Sequence, residues 1–376
     1  MKMDRLDDIL RAYVAEGEDT ADKVLGAAFV VVNKDGIVYQ GAAGRIGFDT
    51  ASRPFAVDSF TWVASLTKLV TATCVMQLVE AGTIGLDDDV RPLVPELGRL
   101  QILRGFGGDD EPVLEDNVLP ITLRHWCEKV GHPVRYTDWS IGDISMPLLV
   151  EPGQGWIYGT GLDWAGLVLE RVTGQGLGEY MQAHIFDPLA MSDTGFWPDK
   201  LPQTASRSVD WSRRRAGSTT LEPMEQLTPV THEMESGGGG LYSTARDYAR
   251  FLGAFLSGRL VSEATMQLMF SPQLDAVQKE ALNEMIYRPG LHNAAAPEFP
   301  TGLELDHGIS GAINMQDVPG KRLKGSLMWS GMSNSHWWID RQTGIATVLV
   351  LNVYPMGDAV VARLYDALER AVYADA

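Results

Sequence analysis

Runs of apolar and β-branched residues lie near both ends of the chain and predict strands there. Residues 24–44, "VLGAAFVVVNKDGIVYQGAAG", contain two such runs on either side of Asn-Lys-Asp-Gly. Asp-Gly is a strong turn signal, so this segment predicts a β-hairpin. Beyond about residue 303, four more runs separated by turn residues predict strands within 302–313, 324–331, 334–340 and 344–354.

Apolar residues at helical spacing predict a helix at each terminus and one after the first hairpin. The terminal helices are expected at 4–16 and at roughly 357–373. The third follows "ASLTK" at 64–68 and continues to about Ala81, where Gly82 is expected to end it.

The middle of the chain has a different pattern, in which loops alternate with short helices and strand signals are few. Helices are predicted at 121–130 and 161–174, and "GDDEPVLEDN" at 108–117 is expected to be an acidic loop. A turn at 236–240, "SGGGG", precedes a predicted helix at 244–257, for which Thr244 is a suitable N-cap.

These patterns together predict an α+β fold with one antiparallel sheet formed from both chain ends and covered by helices. The sheet domain would comprise residues 1–85 and 201–376, and residues 86–200 would form an inserted, mainly helical domain. A functional site is expected in the cleft between these two parts.

Composition and charge limit the classes of function. The chain has 376 residues, of which 45% are hydrophobic and 21% charged, and its net charge is −18. Nucleic-acid binding needs concentrated positive charge, so a nucleic-acid partner is not expected. Neither C-x-x-C nor H-E-x-x-H occurs, and the two cysteines and seven histidines are scattered, so no metal site is predicted.

The sequence shows no signal for a membrane span or for secretion. No apolar stretch reaches the roughly 18 residues that a membrane-spanning helix needs. The first residues, "MKMDRLDDILRAYVAEG", are charged and lack the apolar segment of a signal peptide. The expected location is therefore cytoplasmic, and no feature indicates the oligomeric state.

Ser65 and Lys68 form a Ser-x-x-Lys pair at the start of the helix after the hairpin. Residues three apart share a helix face, so the hydroxyl and the amine would lie close enough to act as nucleophile and base. Because the chain has 20 serines and 9 lysines, about half a match is expected by chance, and a surface lysine is the plainer reading. The apolar run that follows, "LVTATCVMQLV", argues against it, because a lysine in a buried helix needs partners.

Two further stretches contain candidate site residues. Tyr158 follows a Pro-Gly turn in "EPGQGWIYGTG", although a tyrosine with a buried ring and a solvated hydroxyl is the commoner case. Gly331, in "MWSGMSNSHWWID", lies between a predicted strand and a turn. A glycine there permits close backbone approach and an adjacent oxyanion donor, although a simple hairpin glycine is the plainer alternative.

These three stretches, in this order, resemble the motifs of the serine β-lactamase and penicillin-binding superfamily. "SLTK" at 65–68 matches its first motif, "YGT" at 158–160 is in the position of Tyr-x-Asn, and "WSG" at 329–331 is in the position of Lys-Thr-Gly. The likeness extends over about residues 24–373. It implies a β-lactamase-like fold of the class C type, and the Trp-x-Gly form is similar to family VIII carboxylesterases and the lovastatin side-chain acyltransferases.

The chain departs from the superfamily pattern at three places. Trp329 replaces the lysine of the third motif, and Thr160 stands where β-lactamases have asparagine. Both missing groups help to hold a β-lactam, so the departures favour an ester substrate. After "ITLRHW", the family's usual His-Thr-Ser-Gly-like stretch is replaced by "CEKVGHPVRYTDW", which implies an unusual pocket wall.

The resemblance implies a serine carboxylesterase or transacylase that acts on small or medium esters through an acyl-enzyme on Ser65. Lys68 and Tyr158 would share the proton transfers, and either could be the base. No cofactor is implied, and the partners would be an ester and an alcohol acceptor. The implied oxyanion donors are the backbone amides of Ser65 and Met332, and the implied substrate-binding residues are Trp329, Gly331 and Thr160.

Two other functions are compatible with the same residues. A weak β-lactamase or D-amino-acid amidase would use the same nucleophile. A non-catalytic binding or sensor protein could retain the fold, although the intact Ser-Lys-Tyr set argues against that reading.

Overall fold

The computed structural model describes residues 3–124 and 139–374. Most of the helix predicted at 121–130, and most of the unusual stretch at 127–139, therefore lie outside the described residues. No helix among the residues described is both long enough and apolar enough to cross a membrane.

The strands of the described residues, in chain order, are β1 Gly26–Asn33, β2 Gly36–Gly44, β3 Thr61–Trp62, β4 Gln101–Phe106, β5 Pro112–Asp116, β6 Ser212–Arg213, β7 Glu222–Pro223, β8 Tyr242–Ser243, β9 Leu305–Gly308, β10 Gly311–Asn314, β11 Leu327–Ser330, β12 His336–Asp340, β13 Ile345–Val350 and β14 Val353–Tyr354. The hairpin predicted at 24–44 is β1–β2, and the four predicted C-terminal segments contain β9 to β14.

The helices are α1 Met3–Tyr13, α2 Thr67–Glu80, α3 Pro95–Gly98, α4 Ile141–Ile144, α5 Gly161–Thr173, α6 Leu177–Met181, α7 Ala245–Leu256, α8 Glu263–Met269, α9 Ala276–Ile286, α10 His292–Ala295 and α11 Ala359–Tyr373. Gly82 follows the end of α2 with a φ of 68°, and Thr244 caps α7 by accepting a hydrogen bond from the Asp247 amide, as the sequence predicted.

A seven-stranded antiparallel sheet joins the two ends of the chain. Its order is β2-β1-β13-β12-β11-β10-β9, so a strand from the first fifty residues pairs directly with one from the last fifty. Phe29 of β1 lies opposite Leu349 of β13, and both are fully buried. The predicted α+β architecture is confirmed.

Helices cover both faces of this sheet. α7 packs against β1 and β13 on one face, where Gly253 lies close to Val32. On the other face, the ring of Tyr365 in α11 meets Trp338 of β12 with centroids 5.5 Å apart, and Trp338 in turn contacts Phe29. These aromatic side chains are buried completely, which makes them a major part of the core.

The expectation of an acidic loop at 108–117 was wrong for half of that segment. β5 pairs antiparallel with β4 to form a hairpin in the middle of the chain. Every residue of β5 is exposed, so this strand has no apolar alternation from which it could be recognised. Its pairing is reinforced by Arg104, which contacts Glu115 across the hairpin at 2.7 Å.

Candidate active site

Ser65 lies in a short 3₁₀ turn, Ala64–Leu66, that leads directly into α2. Ala64 has a φ of 48°, in the left-handed region that costs a non-glycine residue roughly 1 kcal/mol or more. Thr67 fixes this turn, because its hydroxyl donates to the Ala64 carbonyl at 2.6 Å and accepts from the Leu241 amide at 3.0 Å. The strained backbone is therefore held by the loop that precedes α7.

The side chains of Ser65, Lys68 and Tyr158 meet in one hydrogen-bonded group. The Ser65 and Tyr158 hydroxyl oxygens are 2.6 Å apart, and Lys68 Nζ donates to Ser65 Oγ at 3.0 Å. Lys68 Nζ also lies 4.9 Å from the centre of the Tyr158 ring. The structure thus brings the three sequence-predicted catalytic side chains into direct contact.

Tyr158 is surrounded by groups that favour its ionised form. Tyr158 is 37% exposed as a residue, but the loss of water around its hydroxyl still opposes ionisation. The positive charge of Lys68, together with hydrogen bonding from Lys68, Ser65 and Trp329, outweighs this effect. The pKa of Tyr158 is consequently lower than the ordinary value for tyrosine. A phenol of lowered pKa is suited to accept a proton from a serine hydroxyl.

Lys68 is held in place by a group that the sequence analysis did not find. Its Nζ donates to the Gly238 carbonyl at 2.6 Å, within the predicted "SGGGG" turn. The buried carboxylate of Asp163 fixes this turn, because it accepts from the Gly238 amide at 3.1 Å and from the Ser236 hydroxyl at 2.5 Å. Burial raises the pKa of Asp163, while the charge of Lys68 and these hydrogen bonds act against the rise.

The close backbone approach expected at Gly331 is present. A Cβ at this position would lie 2.7 Å from the Val63 carbonyl oxygen and 3.1 Å from Leu66 Cδ1. Gly331 therefore brings the end of β11 against the turn that contains Ser65. Met332, the next residue, lines the same cavity as Ser65, and its amide donates none of the hydrogen bonds found among the described residues.

A cavity of about 390 Å³ opens beside Ser65. Its described lining combines the catalytic group with apolar and aromatic side chains, among them Trp62, Trp139, Ile144, Leu227, Met234, Met332 and Tyr354. The lining comes from both the predicted sheet part and the predicted insertion, and Thr160 belongs to it. Among the described lining residues, Lys68 is the only cationic side chain, whereas Asp143 and Asp163 are acidic.

Trp329 lies behind Tyr158, away from the described lining of this cavity. The two rings stack with centroids 5.5 Å apart and an interplanar angle of 28°. The ring of His307 meets Trp329 edge-on, with the two ring centroids 5.6 Å apart. Trp329 thus supports the Tyr158 ring, and Gly331 likewise does not line the large cavity.

Comparison with known sequences finds a matching family model and several similar proteins. The family model described as Beta-lactamase matches residues 6–371. The ML-236A carboxylate methylbutanoyltransferase of Penicillium citrinum is 31% identical over 346 residues, which cover 85% of this chain and 82% of that protein. The lovastatin esterase of Penicillium rubens is 29% identical over 383 residues, which cover 93% and 94% respectively.

The fold is also similar to a solved enzyme. The LovD6 mutant of simvastatin synthase from Aspergillus terreus superimposes with a TM-score of 0.88 and 28% sequence identity. The match covers 98% of this chain and 94% of that one. The likeness therefore extends over the whole architecture, beyond the three short motifs.

Proposed function

The chain belongs to the beta-lactamase family, and we propose that it is a serine carboxylesterase or transacylase that works through an acyl-enzyme on Ser65. The observation that carries the proposal is the position of the Ser65 hydroxyl, which hydrogen-bonds to both Tyr158 and Lys68. The relatives described above include an acyltransferase and an esterase, which supports the same class of reaction.

In the first half-reaction, Ser65 Oγ attacks the ester carbonyl carbon and Tyr158 takes the hydroxyl proton. Tyr158 is favoured as the base because its pKa is lowered, while Lys68 already donates to two oxygen atoms and is suited to remain an ammonium ion. The amides of Ser65 and Met332 would stabilise the oxyanion. When the tetrahedral intermediate collapses, the alcohol leaves with the proton from Tyr158.

In the second half-reaction, water or an alcohol attacks the acyl-enzyme carbonyl carbon. The incoming hydroxyl gives its proton to Tyr158, and Ser65 Oγ leaves and recovers that proton. Water yields a carboxylic acid, whereas an alcohol yields a new ester. The same residues therefore serve hydrolysis and acyl transfer, and the outcome depends on which acceptor occupies the cavity.

The charges around the cavity favour a neutral ester over a β-lactam. A β-lactam antibiotic has a carboxylate that needs a cationic partner, but Lys68 is the only cation among the described lining residues and is already hydrogen-bonded to Ser65 and Gly238. The two acidic residues of the lining would repel an anion. The apolar remainder suits an aliphatic acyl group or a bulky alcohol.

The assignment is tested by comparing p-nitrophenyl butyrate, a neutral ester, with nitrocefin, an anionic β-lactam. We expect a higher kcat/KM for the ester and a loss of at least about a thousandfold in Ser65→Ala. Comparable nitrocefin turnover would instead favour a β-lactamase. If neither compound is turned over and a serine-reactive phosphonate fails to label the protein, the chain is a binding protein and the proposal is wrong.

A further inference from the structure

A second, much smaller cavity also borders Lys68 and Tyr158. Its volume is about 20 Å³, and its lining includes Trp156, His307 and Ser310 in addition to those two residues. A cavity of about 10–15 Å³ is large enough for one water molecule, provided that polar groups are present to bind it.

Two polar groups in the lining have no hydrogen-bond partner among the described residues. Trp156 Nε1 and Ser310 Oγ are buried and make no hydrogen bond to any described residue. Trp156 is 3% exposed and Ser310 4% exposed, so bulk solvent does not satisfy them. An unpaired buried donor or hydroxyl lowers the stability of the fold, and one bound water would largely recover that loss.

His307 supplies a third group. Its Nδ1 lies 2.6 Å from the Gly308 carbonyl oxygen, so Nδ1 holds the ring hydrogen and Nε2 is an acceptor in the neutral form. Burial lowers the pKa of His307 to about 4, which keeps the ring neutral at physiological pH. The lining therefore combines an indole donor, an imidazole acceptor and a hydroxyl that can act as either.

We propose that this small cavity binds one water molecule through Trp156, His307 and Ser310, and that the water solvates the Lys68–Tyr158 pair. The water oxygen accepts from Trp156 Nε1 and the Ser310 hydroxyl, and the water hydrogens point to His307 Nε2 and the Tyr158 oxygen. The water thus donates a hydrogen bond to the ionised Tyr158, and so it stabilises the charged pair. The catalytic part of this inference rests on the proposed function.

The neighbouring charges are consistent with that role. Asp163 lies behind Lys68 and interacts with its charge, while His307, which faces the pair across the small cavity, is next to the buried Asp306. His307 is neutral, so it adds no charge that would compete with the pair. The water is then the main source of solvation for Lys68 and Tyr158 on this side.

The experiment is a high-resolution crystal structure combined with pH profiles of kcat/KM for an ester. Trp156→Phe keeps the ring but removes the donor, and Ser310→Ala removes the hydroxyl. We expect ordered water density in the wild-type cavity and its loss in Trp156→Phe. The acid limb of the profile should move to higher pH by about one unit in both variants, because the charged pair loses one hydrogen bond.

Trp337→Phe is the matched control. Trp337 Nε1 is also buried without a partner among the described residues, but Trp337 lines neither cavity, so its profile should not change. An active wild-type enzyme without density in the cavity, or an unshifted acid limb in a folded Trp156→Phe or Ser310→Ala, would overturn the inference. Absence of Ser65-dependent turnover would overturn the proposed function instead, whether or not the water is seen.

Discussion

Tyr158 and Lys68 meet two different needs of the nucleophile. A serine hydroxyl requires an acceptor for its proton, and the resulting charge on that acceptor requires stabilisation. The lowered pKa of Tyr158 suits the first task, and the Lys68 amine, which reaches Ser65 Oγ and the Gly238 carbonyl, suits the second. The proposed proton transfer therefore depends on the Tyr158 hydroxyl.

Tyr158→Phe tests this dependence. The ring and its stacking on Trp329 are retained, while the hydroxyl that is 2.6 Å from Ser65 Oγ is lost. We expect ester turnover to fall by at least about a hundredfold with the free energy of unfolding nearly unchanged. Tyr39→Phe removes a hydroxyl that bonds Asp7 instead and should keep full activity. Near-normal turnover in Tyr158→Phe would refute the assignment of Tyr158 as the base.

Some of the site could be predicted from the sequence because its geometry is local. Ser65 and Lys68 are three residues apart at the start of a helix, so their contact follows from helical spacing. Asp163 could not be predicted as the support of Lys68, because it acts through Gly238, which is 75 residues away along the chain. Such a contact depends on how α5 packs against the turn at 236–240, and no short-range pattern encodes that packing.

The catalytic site is positioned by close packing between the backbones of neighbouring elements. The end of β11 reaches the turn that contains Ser65 only because residue 331 has no side chain. The strands on either side of Gly331 were predictable from their runs of apolar and aromatic residues, whereas the β4–β5 hairpin was not, since β5 is exposed on both faces. Strands that contribute to the core can be recognised from their apolar residues, and exposed ones cannot.

Gly331→Ala tests the close approach. The new methyl group would lie 2.7 Å from the Val63 carbonyl oxygen, so backbone must shift at the turn that positions Ser65. We expect a destabilisation of about 1–3 kcal/mol in chemical denaturation and a fall in kcat. Gly253→Ala in α7 is the control, because the nearest atom would be 3.9 Å away and alanine favours a helix. Wild-type stability and kcat in Gly331→Ala would contradict the role of this contact.

The fold of the whole molecule is held together by contacts between segments that are far apart in the sequence. The sheet joins both ends, and beneath α11 a buried cluster joins Glu298, Arg322 and Glu369. The sequence could predict the first of these features, because strand patterns occur at both termini. The buried charges could not be predicted, since charged residues are normally expected at the surface.

Glu298 makes the stability of the fold depend on pH. Burial raises its pKa to about 7 despite the nearby Arg322, from an ordinary value near 4.5. Folding therefore favours the protonated carboxyl. The contribution of Glu298 to the free energy of unfolding is fully present below about pH 4.5 and is lost as pH rises through about 7. Glu298→Gln should remove this loss, which is at most about 3 kcal/mol. Relative to the wild type, Glu298→Gln should therefore be more stabilising at pH 8 than at pH 5, as measured by the free energy of unfolding. An equal effect at both values would contradict the assignment.

Acyl transfer through Ser65 requires an acyl-enzyme intermediate, which can be trapped chemically. The protein is mixed with p-nitrophenyl butyrate, quenched in acid within the first turnover and analysed by peptide mass spectrometry. The account predicts one butyryl group on the peptide that contains Ser65, formed together with a burst of p-nitrophenol, and neither signal in Ser65→Ala. Turnover with the butyryl group on another residue, or an undiminished burst in Ser65→Ala, would contradict it.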